Sequence, residues 1–440
     1  MPVEHAHLVI SRELKAGSYP GDLLGLLEEL DVEEKIDLMQ RLSETDAALI
    51  FQEMEDFEQA AILPHLDDER AKIIFGSMAS DDAADMLGEL APEEAEQILQ
   101  LIDEDERIDF GGLLRYPEDS AGGIMTTEFI SLPADIAVEE AISRLREIAP
   151  EAETIYYVYV VNNEGRLIGV LSLRDLITSS DGTLLKNIMR SNVISVNVGL
   201  DQEEVARVVS KYDLLAVPVV DDQGRLLGIV TVDDVIDVME QEATEDIYRF
   251  AGVSEVEGMD LTEASVNKIV RLRLPWLLIS MAGGILAGSV IGVYEDTLHA
   301  IVMLAAFIPV IMDMGGNVGT QSSTIFVRGI ATGDIDSSEV WPYLYREIQI
   351  GIAMGLICGV LISFVAYFWE GNPYLGLVVG IAMLSTISVA ALIGTLVPML
   401  CNMVNIDPAI TAGPFVTTIK DVIGLLIYFV IASAFLEYLR

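Results

Sequence analysis

Polar side chains recur at helical spacing inside the apolar stretch IPVIMDMGGNVGTQSST, residues 308–324. Five polar residues, the last of them just beyond this stretch, are separated by 4, 4, 3 and 4 positions: Asp313, Asn317, Gln321, Thr324 and Arg328. A continuous helix would place all of them along one stripe of its surface. Carboxylate, amide and hydroxyl groups are costly in lipid, so this stripe indicates a surface that faces water or other polar groups.

A second apolar stretch, residues 411–438, repeats the same spacing. Its members are Gly413, Thr417, Asp421, Gly424 and Tyr428. Each stretch contains a proline, which lacks a backbone N–H. Pro309 therefore leaves the carbonyl of Ala305 without its helical donor, and Pro414 does the same to the carbonyl of Ile410. We interpret the two stripes, each with one carboxylate and one freed carbonyl, as walls of a cation path.

The alternative is that these polar groups only join helices, with Gly315, Gly316 and Gly319 allowing close approach. That interpretation accounts for the glycines and for Asn317. It gives no reason for a carboxylate in each stripe, so the cation path is favoured.

Lys420 directly precedes Asp421 and could form a structural ion pair with it. Consecutive residues of a helix diverge by roughly 100° and do not face one another. We therefore expect Lys420 to point towards another helix or towards the membrane surface.

The ligand types select a class of ion. Softer metals are held by clusters of histidine, cysteine or methionine, whereas oxygen ligands suit a hard cation. Mg²⁺ dehydrates reluctantly, so a pore that serves it needs outer-sphere acceptors and a modest negative charge. One Asp421 per chain is too little alone, and two across the axis of a symmetric dimer would balance a divalent ion. The candidate pore ligands are Asp421, Asn317, Asp313, Thr417 and Gly413.

These stripes require membrane-spanning helices to hold them. Apolar runs occupy about residues 274–294, 300–327, 348–369, 374–400 and 411–438. Each is long enough to cross a hydrocarbon core of ~30 Å. Arg271 and Arg273 precede the first run. Arg328 and Arg346 lie at the two ends of the loop between the second and third runs. By the positive-inside rule the N-terminal part is expected in the cytosol and the C-terminus outside the cell.

Charge is segregated along the 440 residues, which carry 70 acidic and 25 basic side chains. Residues 271–440 hold 11 acidic and 6 basic side chains. The remaining 59 acidic and 19 basic side chains lie in residues 1–270 and give that part a net charge of −40. Such a surface repels nucleic acid and attracts cations, so we expect no nucleic-acid partner. The first residues lack the basic flank and apolar core of a signal peptide, which agrees with a cytosolic location.

A strict twelve-residue repeat occupies the acidic N-terminal part. Its apolar positions are Leu30, Leu42, Met54, Leu66, Met78, Leu90 and Ile102. An apolar doublet such as Leu38-Met39 or Ile50-Phe51 follows within each of the first six units, and segments such as DVEEK and SETDA supply helix starts. The pattern predicts a right-handed superhelical solenoid of short helices, each burying its doublet.

A second self-similarity begins after Gly122, where VVNNEGRLIGVLSLRDLI from Val160 returns as VVDDQGRLLGIVTVDDVI from Val219. Each copy predicts strand, helix, strand, turn, strand and helix. The chain here resembles a tandem pair of CBS domains, and that resemblance implies an adenine nucleotide such as ATP with aspartates on the ribose hydroxyls. The matching residues are Ser172, Asp175, Thr231 and Asp234. Nucleotide-free pairs are also common, so occupancy stays open at this point.

The expected architecture is a multidomain membrane protein. It comprises an acidic helical-repeat N domain (1–121), an α/β tandem CBS pair (122–245), a plug-like connecting helix (246–272) and a transmembrane domain of five helices (273–440). The connecting helix is a lever between the soluble and membrane parts, or else a plain linker.

Two membrane motifs, MGGNVGTQSST and DPAITAGPFVTTIKDVIGLLIYF, resemble the MgtE family of magnesium channels. The resemblance covers nearly the whole chain. It implies a homodimer whose pore lies between the subunits, an ion site at Asp421, and closure when cytosolic Mg²⁺ rises.

The charge of the soluble part supplies a gating mechanism. The acidic regions of a dimer repel one another when divalent ions are scarce and are bridged when these ions are plentiful. Bridging candidates, chosen from acidic clusters, are Asp67, Asp68, Glu93, Glu94, Asp233, Asp237 and Glu257. The alternative for each is a solvated surface charge.

Two other function classes are less consistent with the sequence. A secondary transporter of another divalent metal, such as cobalt or manganese, would show broken helices in two related halves, and the membrane part has no internal repeat. A membrane-bound enzyme would need a nucleophile and a base near the interface, and the sequence offers no such constellation. We therefore expect a magnesium channel or transporter and not an enzyme. The sequence does not distinguish a channel from an exchanger, and it does not define the selectivity among divalent ions.

Overall fold

The computed structural model describes residues 3–27, 30–102, 104–253, 265–335, 340–404, 406–408 and 413–439. The chain divides into two compact units, Met1–Glu240 and Gln241–Arg440.

Short helices follow one another through the N-terminal part of the first unit. They are α1 Val3–Ala16, α2 Val32–Arg41, α3 Glu44–Gln52, α4 Asp56–Ile62, α5 Asp68–Phe75, α6 Ser80–Gly88, α7 Pro92–Leu99 and α8 Glu104–Leu113. Turns of 3₁₀ helix lie at Pro20–Leu26 and Leu63–His65.

The twelve-residue period is one short helix plus one turn, so every unit returns its doublet to the core. Leu38, Met39, Ile50 and Phe51 are fully buried in one cluster with the later doublets. The side chain of Asp31 accepts from the backbone N–H of Glu34 at the start of α2, and Ser43 caps α3 in the same way. The predicted stack of short helices is confirmed.

Two similar three-stranded sheets follow. The first contains β1 Ser131–Pro133, β2 Tyr157–Val161 and β3 Leu167–Ser172, and the second contains β4 Val196–Asn197, β5 Ala216–Val220 and β6 Leu226–Thr231. In each sheet the first strand is parallel and the third antiparallel to the middle strand. The helices are α9 Val138–Ile148, α10 Leu173–Thr178, α11 Gln202–Tyr212 and α12 Val232–Ala251. The predicted order of elements in the two copies is confirmed.

The turns between the last two strands of each copy need a left-handed backbone, which Gly165 and Gly224 supply at φ 76° and 77°. These turns pair the copies, because Leu167 N–H donates to Gly224 O and Leu226 N–H donates to Gly165 O at 3.0 and 3.1 Å.

The helix α12 crosses the predicted domain boundary at residue 245. It continues without interruption to Ala251, so the second CBS copy and the start of the connector share one helix. The remainder of the predicted connector, up to Ser265, lies mostly outside the described residues.

Long helices make up most of the second unit. They are α13 Val266–Val293, α14 Glu295–Ala300, α15 Leu304–Ala331, α16 Val340–Glu370, α17 Pro373–Met403, α18 Pro414–Ala434 and α19 Leu436–Leu439. Of the described residues, Val266–Val293, Val340–Glu370, Pro373–Met403 and Val416–Ala434 form helices long and apolar enough to cross a membrane. At 28 residues α15 is also long enough, but Asp313, Asn317 and Gln321 make it less apolar. Its role as the fifth span stays a prediction.

Candidate ion pathway and acidic cluster

The polar stripe of α15 lies on the surface of the protomer. Asp313, Asn317 and Gln321 are all exposed, while Ile311, Gly315 and Val318 on the opposite side are buried. Asn317 Nδ2 donates to Asp313 Oδ2 at 3.2 Å, one helical turn away. The predicted stripe is therefore continuous at these positions and turned away from the protomer core.

The stripe of α18 divides into two parts. Thr417 and Asp421 are half-buried, whereas Gly424 and Tyr428 are buried within the protomer. Tyr428 Oη donates to the carbonyl of Leu304 at 2.8 Å, which joins α18 to the start of α15. Only the first part of this stripe, which holds the carboxylate, keeps accessible surface.

Lys420 points into α15. It is 3% exposed, and its Nζ donates to Gly316 O at 3.0 Å and to Thr320 Oγ1 at 3.3 Å. The prediction that Lys420 points towards another helix is confirmed.

Gly413 lies beside the backbone of α12. A Cβ at this position would lie 2.8 Å from Phe250 O, so a larger residue would displace the end of α12. Thr417 Oγ1 donates to the carbonyl of Gly413 at 3.3 Å. Both residues were predicted as ion ligands, and the structure shows a close packing contact for the glycine.

Charged side chains surround this contact. Arg249 of α12 forms ion pairs with Glu245 and with Asp407, which follows α17. Burial, followed by the charges of Asp407 and Glu242, raises the pKa of Asp246 to about 6. The C-terminal part of α12 is thus tied to the loop that precedes α18.

One buried carboxylate of the second unit was missed by sequence reasoning. Glu347 of α16 is 5% exposed and accepts from Ser322 Oγ of α15 at 2.6 Å. Its position 25 residues after Ser322, in another helix, leaves no local signal in the sequence.

In the first unit the helical repeat contacts the CBS pair through α6. Ser80 Oγ lies 3.1 Å from Thr126 Oγ1 and accepts from the backbone N–H of Thr127 at 2.9 Å. Ala84 belongs to the hydrophobic cluster that contains Val217 and Val235 of the second CBS copy.

An acidic cluster surrounds this junction. Burial, followed by the charges of neighbouring carboxylates, raises the pKa values of Asp56 and Asp82 to about 6 and that of Asp85 to about 8. Burial and the charge of Asp234 hold the pKa of Asp81 well above its usual range. Asp56, Asp82 and Asp85 keep exposed surface, so water and ions can reach the cluster.

The CBS side contributes the other members of this cluster. Burial raises the pKa values of Glu153, Asp234 and Asp237, with contributions from neighbouring acids, and Asp233 is one of the charges that act on Asp82 and Asp234. The cluster therefore consists of Asp56, Asp81, Asp82, Asp85, Glu153, Asp233, Asp234 and Asp237.

Two of the seven predicted bridging residues, Asp233 and Asp237, belong to the cluster. Asp67 caps α5 by accepting from Arg70 N–H at 3.0 Å, and Asp68, Glu93 and Glu94 are exposed. Glu257 lies outside the described residues. The aspartates of α4 and α6 were missed, although SDDAADM in α6 carries three of them within six residues.

The cluster is a region of shared negative charge. Within the described ranges, no group of three or more His, Cys, Asp or Glu side chains converges closely enough to hold a metal ion directly. The raised carboxyl pKa values come from burial first and from like charges second, and a cation among these groups would favour their ionised forms. A hydrated Mg²⁺ fits this donor set, because it keeps several waters and reaches carboxylates through them.

The two predicted ribose-binding aspartates differ in their surroundings. Asp175 Oδ2 accepts from Ser172 Oγ at 2.7 Å and from its N–H at 3.0 Å, and these hydrogen bonds lower the pKa of Asp175. Asp234 Oδ2 accepts from Thr231 N–H at 3.1 Å, but burial raises its pKa. The charges near Asp175 include Arg190 and Arg174, whereas Asp234 lies in the acidic cluster.

Comparison with known families covers most of the chain. The family described as the MgtE divalent cation transporter matches residues 308–431, and the MgtE intracellular N domain matches residues 18–119. The CBS domain family matches residues 121–182 and 185–241.

The similarity to individual proteins extends across these regions. The magnesium transporter MgtE of Thermus thermophilus is 42% identical over 337 residues, which are 77% of this chain and 74% of that protein. The chain belongs to the MgtE family of magnesium transporters. The MgtE of Enterococcus faecalis is 46% identical over 328 residues, 74% of this chain and 71% of that protein.

A solved structure is similar in the soluble part. The cytosolic domain of the Mg²⁺ channel MgtE in complex with ATP is 40% identical and covers 53% of this chain and 99% of that chain, with a TM-score of 0.49.

Membership confirms the family, the fold class and the transport of Mg²⁺ that the sequence predicted. The MgtE family consists of transporters rather than enzymes, and the N-terminal domains are cytosolic parts of a membrane protein.

Proposed function

We propose that this MgtE protein is a Mg²⁺ channel whose pore lies between the subunits of a homodimer and is closed by cytosolic Mg²⁺. The observation that carries the proposal is the exposed stripe Asp313, Asn317 and Gln321 on α15. In a membrane these groups must face water or another protein surface. A second copy of the same stripe would satisfy them and enclose a polar path.

Asp421 is the proposed ion site. It is half-buried on α18, which packs against α15, and Thr417 lies one turn before it on the same side. Two copies of Asp421 across the axis would match the charge of one Mg²⁺, and outer-sphere contact would spare the ion full dehydration. Asn317, Asp313 and Thr417 supply further oxygen acceptors along the path, while the carbonyl of Gly413 lies at its cytosolic end.

The acidic cluster is the proposed sensor. Without divalent ions its carboxylates repel one another across the junction between α4, α6 and the CBS pair, and Mg²⁺ relieves this repulsion. A shift of a gate from 1:99 to 99:1 requires about 5.5 kcal/mol of differential binding. A single weak site filled at ten times its Kd supplies RT ln 11, about 1.4 kcal/mol, so several ions must act together. The exposed bridging candidates outside the cluster, Asp67, Asp68, Glu93 and Glu94, would act between subunits. The same role is proposed for Glu257, which lies outside the described residues.

The sensor proposal predicts a pH-dependent compaction of the soluble part. A carboxyl whose pKa is raised in the closed junction binds more protons there than in the open one, so closure weakens as pH rises. The window runs from about pH 4, where free carboxyls ionise, to about pH 8, the pKa of Asp85. We expect residues 1–270 in chelator to show a larger radius of gyration by small-angle scattering at pH 8 than at pH 5.

Millimolar Mg²⁺ at pH 8 should restore the smaller radius, and sodium at matched ionic strength should do so less well. An equal radius in chelator and in Mg²⁺ would contradict the sensor assignment.

We further propose that ATP binds the first CBS copy, with Asp175 on the ribose hydroxyls. Asp175 is ionised and has arginines nearby, which favour a triphosphate. Asp234 has the same motif but lies among carboxylates, which repel an anionic ligand.

Asp175→Ala should therefore weaken ATP binding by about tenfold, the scale of one lost charge-assisted interaction. Asp234→Ala, the matched variant of the second copy, should leave affinity unchanged or raise it slightly. Calorimetry on residues 1–270 measures both. A larger loss of ATP affinity in Asp234→Ala than in Asp175→Ala would place the nucleotide in the second copy. If ATP gives no heat of binding with the unmutated protein, the CBS pair acts only as a hinge.

The orientation follows from the arginines flanking the spans. A cysteine placed beside Tyr438 should react with an impermeant thiol reagent from outside intact cells, since the C-terminus is expected there. Cobalt, one alternative substrate, binds well to nitrogen ligands, which the polar stripes lack. Manganese takes the same oxygen ligands as Mg²⁺, so flux measurements with each ion must separate these two.

A further inference from the structure

Lys420 places an ammonium group inside the membrane part, next to the proposed ion site. Charged side chains at membrane depth are costly and are retained where they meet acceptors. The described acceptors of Lys420 are the carbonyl of Gly316 and the hydroxyl of Thr320, both on α15. The lysine therefore joins α18 to α15 beside the exposed stripe, because Thr320 and Gly316 lie about 60° and 100° round α15 from Asn317.

The surface of α15 is shaped for this side chain. A Cβ at Gly319 would overlap the Cδ of Lys420, so the methylene stem occupies the space that the glycine leaves. Pro309 and the two acceptors belong to the same helix, and Gly316 is one turn before Thr320. The motif GGNVGT thus forms a groove with two acceptors at its end.

Other contacts hold α18 against α17 and α13, while Asp421 keeps part of its surface accessible. A Cβ at Gly424 would touch Thr386 of α17 at 3.0 Å, and Thr418 fills the space beside Gly283 of α13. Viewed down the helix axis, Asp421 lies about 100° round α18 from Lys420, and Gly424 and Thr417 lie between them at about 40° and 60°. Rotation of α18 about its axis would move Asp421 out of the path.

We propose that Lys420 is a positioning residue that fixes the rotation of α18 on α15 and thereby directs Asp421 into the ion path. The proposal rests on the assignment of Asp421 as the ion site. Lys420 acts on selectivity through its hydrogen bonds to Gly316 and Thr320, in addition to any field that its charge creates at Asp421.

The test is the reversal potential of purified channels in planar bilayers with Mg²⁺ on one side and K⁺ on the other. This potential gives the permeability ratio and does not depend on how many channels are folded. Lys420→Met keeps the linear stem that fills the Gly319 groove but removes the donor. We expect the Mg²⁺ to K⁺ ratio to fall by about tenfold, the scale of a lost charged hydrogen bond.

Thr320→Val separates positioning from charge, because it removes one acceptor of nearly the same shape while Lys420 stays charged. We expect the ratio to fall by about two- to threefold, since the carbonyl of Gly316 still accepts. An unchanged ratio in Thr320→Val together with a lower ratio in Lys420→Met would show that only the field of the lysine matters, which overturns the positioning role. Unchanged ratios in both variants would overturn it as well.

Gly319→Ala tests the groove if Lys420→Met does not assemble. Its added methyl displaces the lysine stem, so the ratio should fall, and a parental ratio in both Gly319→Ala and Thr320→Val would contradict the proposal. Asp421→Asn in the same apparatus separates the two claims. A parental ratio there would refute the ion site itself, whereas a collapsed ratio beside unchanged lysine-groove variants would refute only the role of Lys420.

Discussion

Replacing Asp421 with asparagine is expected to remove the preference for Mg²⁺ over K⁺ and leave a folded dimer. Asparagine keeps the size and hydrogen bonding of aspartate and deletes its charge. At an effective dielectric constant of about 20, a carboxylate about 5 Å from an ion attracts a divalent ion by about 3 kcal/mol more than a monovalent one. The permeability ratio measured from reversal potentials should therefore fall by roughly 100-fold.

Asp313→Asn is the matched control. Asp313 is also a carboxylate at membrane depth, but it is exposed and accepts from Asn317 on its own helix. We expect a smaller loss of selectivity there. Normal Mg²⁺ conduction in Asp421→Asn combined with a large loss in Asp313→Asn would move the ion site to α15 and make Asp421 structural.

The second large effect is expected from Asp82→Asn combined with Asp85→Asn. Both aspartates lie on α6 in the acidic cluster. At pH values above 8, where both are mostly ionised, removing their charges relieves repulsion that Mg²⁺ otherwise screens. The closed junction should then form at lower Mg²⁺. We expect the cytosolic Mg²⁺ concentration that halves the open probability to fall by about tenfold, the effect of roughly 1.4 kcal/mol.

Asp67→Asn with Asp68→Asn changes the net charge equally on the same solenoid. These exposed residues lie at the start of α5, where Asp67 serves as a helix cap. Inside-out patch recording should show little change in Mg²⁺ sensitivity for this pair. Equal shifts in both pairs would indicate that total charge, and not the α6 junction, sets the gate.

The sequence was most informative where the pattern is local. The doublets such as Ile50-Phe51 repeat at the period of one helix and one turn, so their burial followed from the spacing. The two CBS copies carry matching glycine turns at Gly165 and Gly224, which predicted the turn between the last two strands of each copy. The helical angle between adjacent residues predicted that Lys420 points away from Asp421, towards another helix or the membrane surface, and the structure shows the first of these.

Other features depend on which surfaces meet, and no local pattern encodes that. The acids of α4 and α6 look like solvated charges until α6 contacts Thr126 and Thr127 of the CBS region. The boundary expected at residue 245 falls inside α12, because the helix continues through the charged residues around that position and ends only at Ala251. Gly424 and Tyr428 share the spacing of Asp421, but contacts with α17 and α15 bury them.

The central claim is that Mg²⁺ crosses between subunits as a charge-carrying ion and that cytosolic Mg²⁺ stops it. Single-channel recording of the purified protein in bilayers with Mg²⁺ as the permeant cation tests both parts at once. We predict discrete Mg²⁺ currents whose open probability falls as millimolar Mg²⁺ is added to the side that carries the soluble domains. Mg²⁺ flux without any current, or currents indifferent to Mg²⁺ on that side, would contradict it.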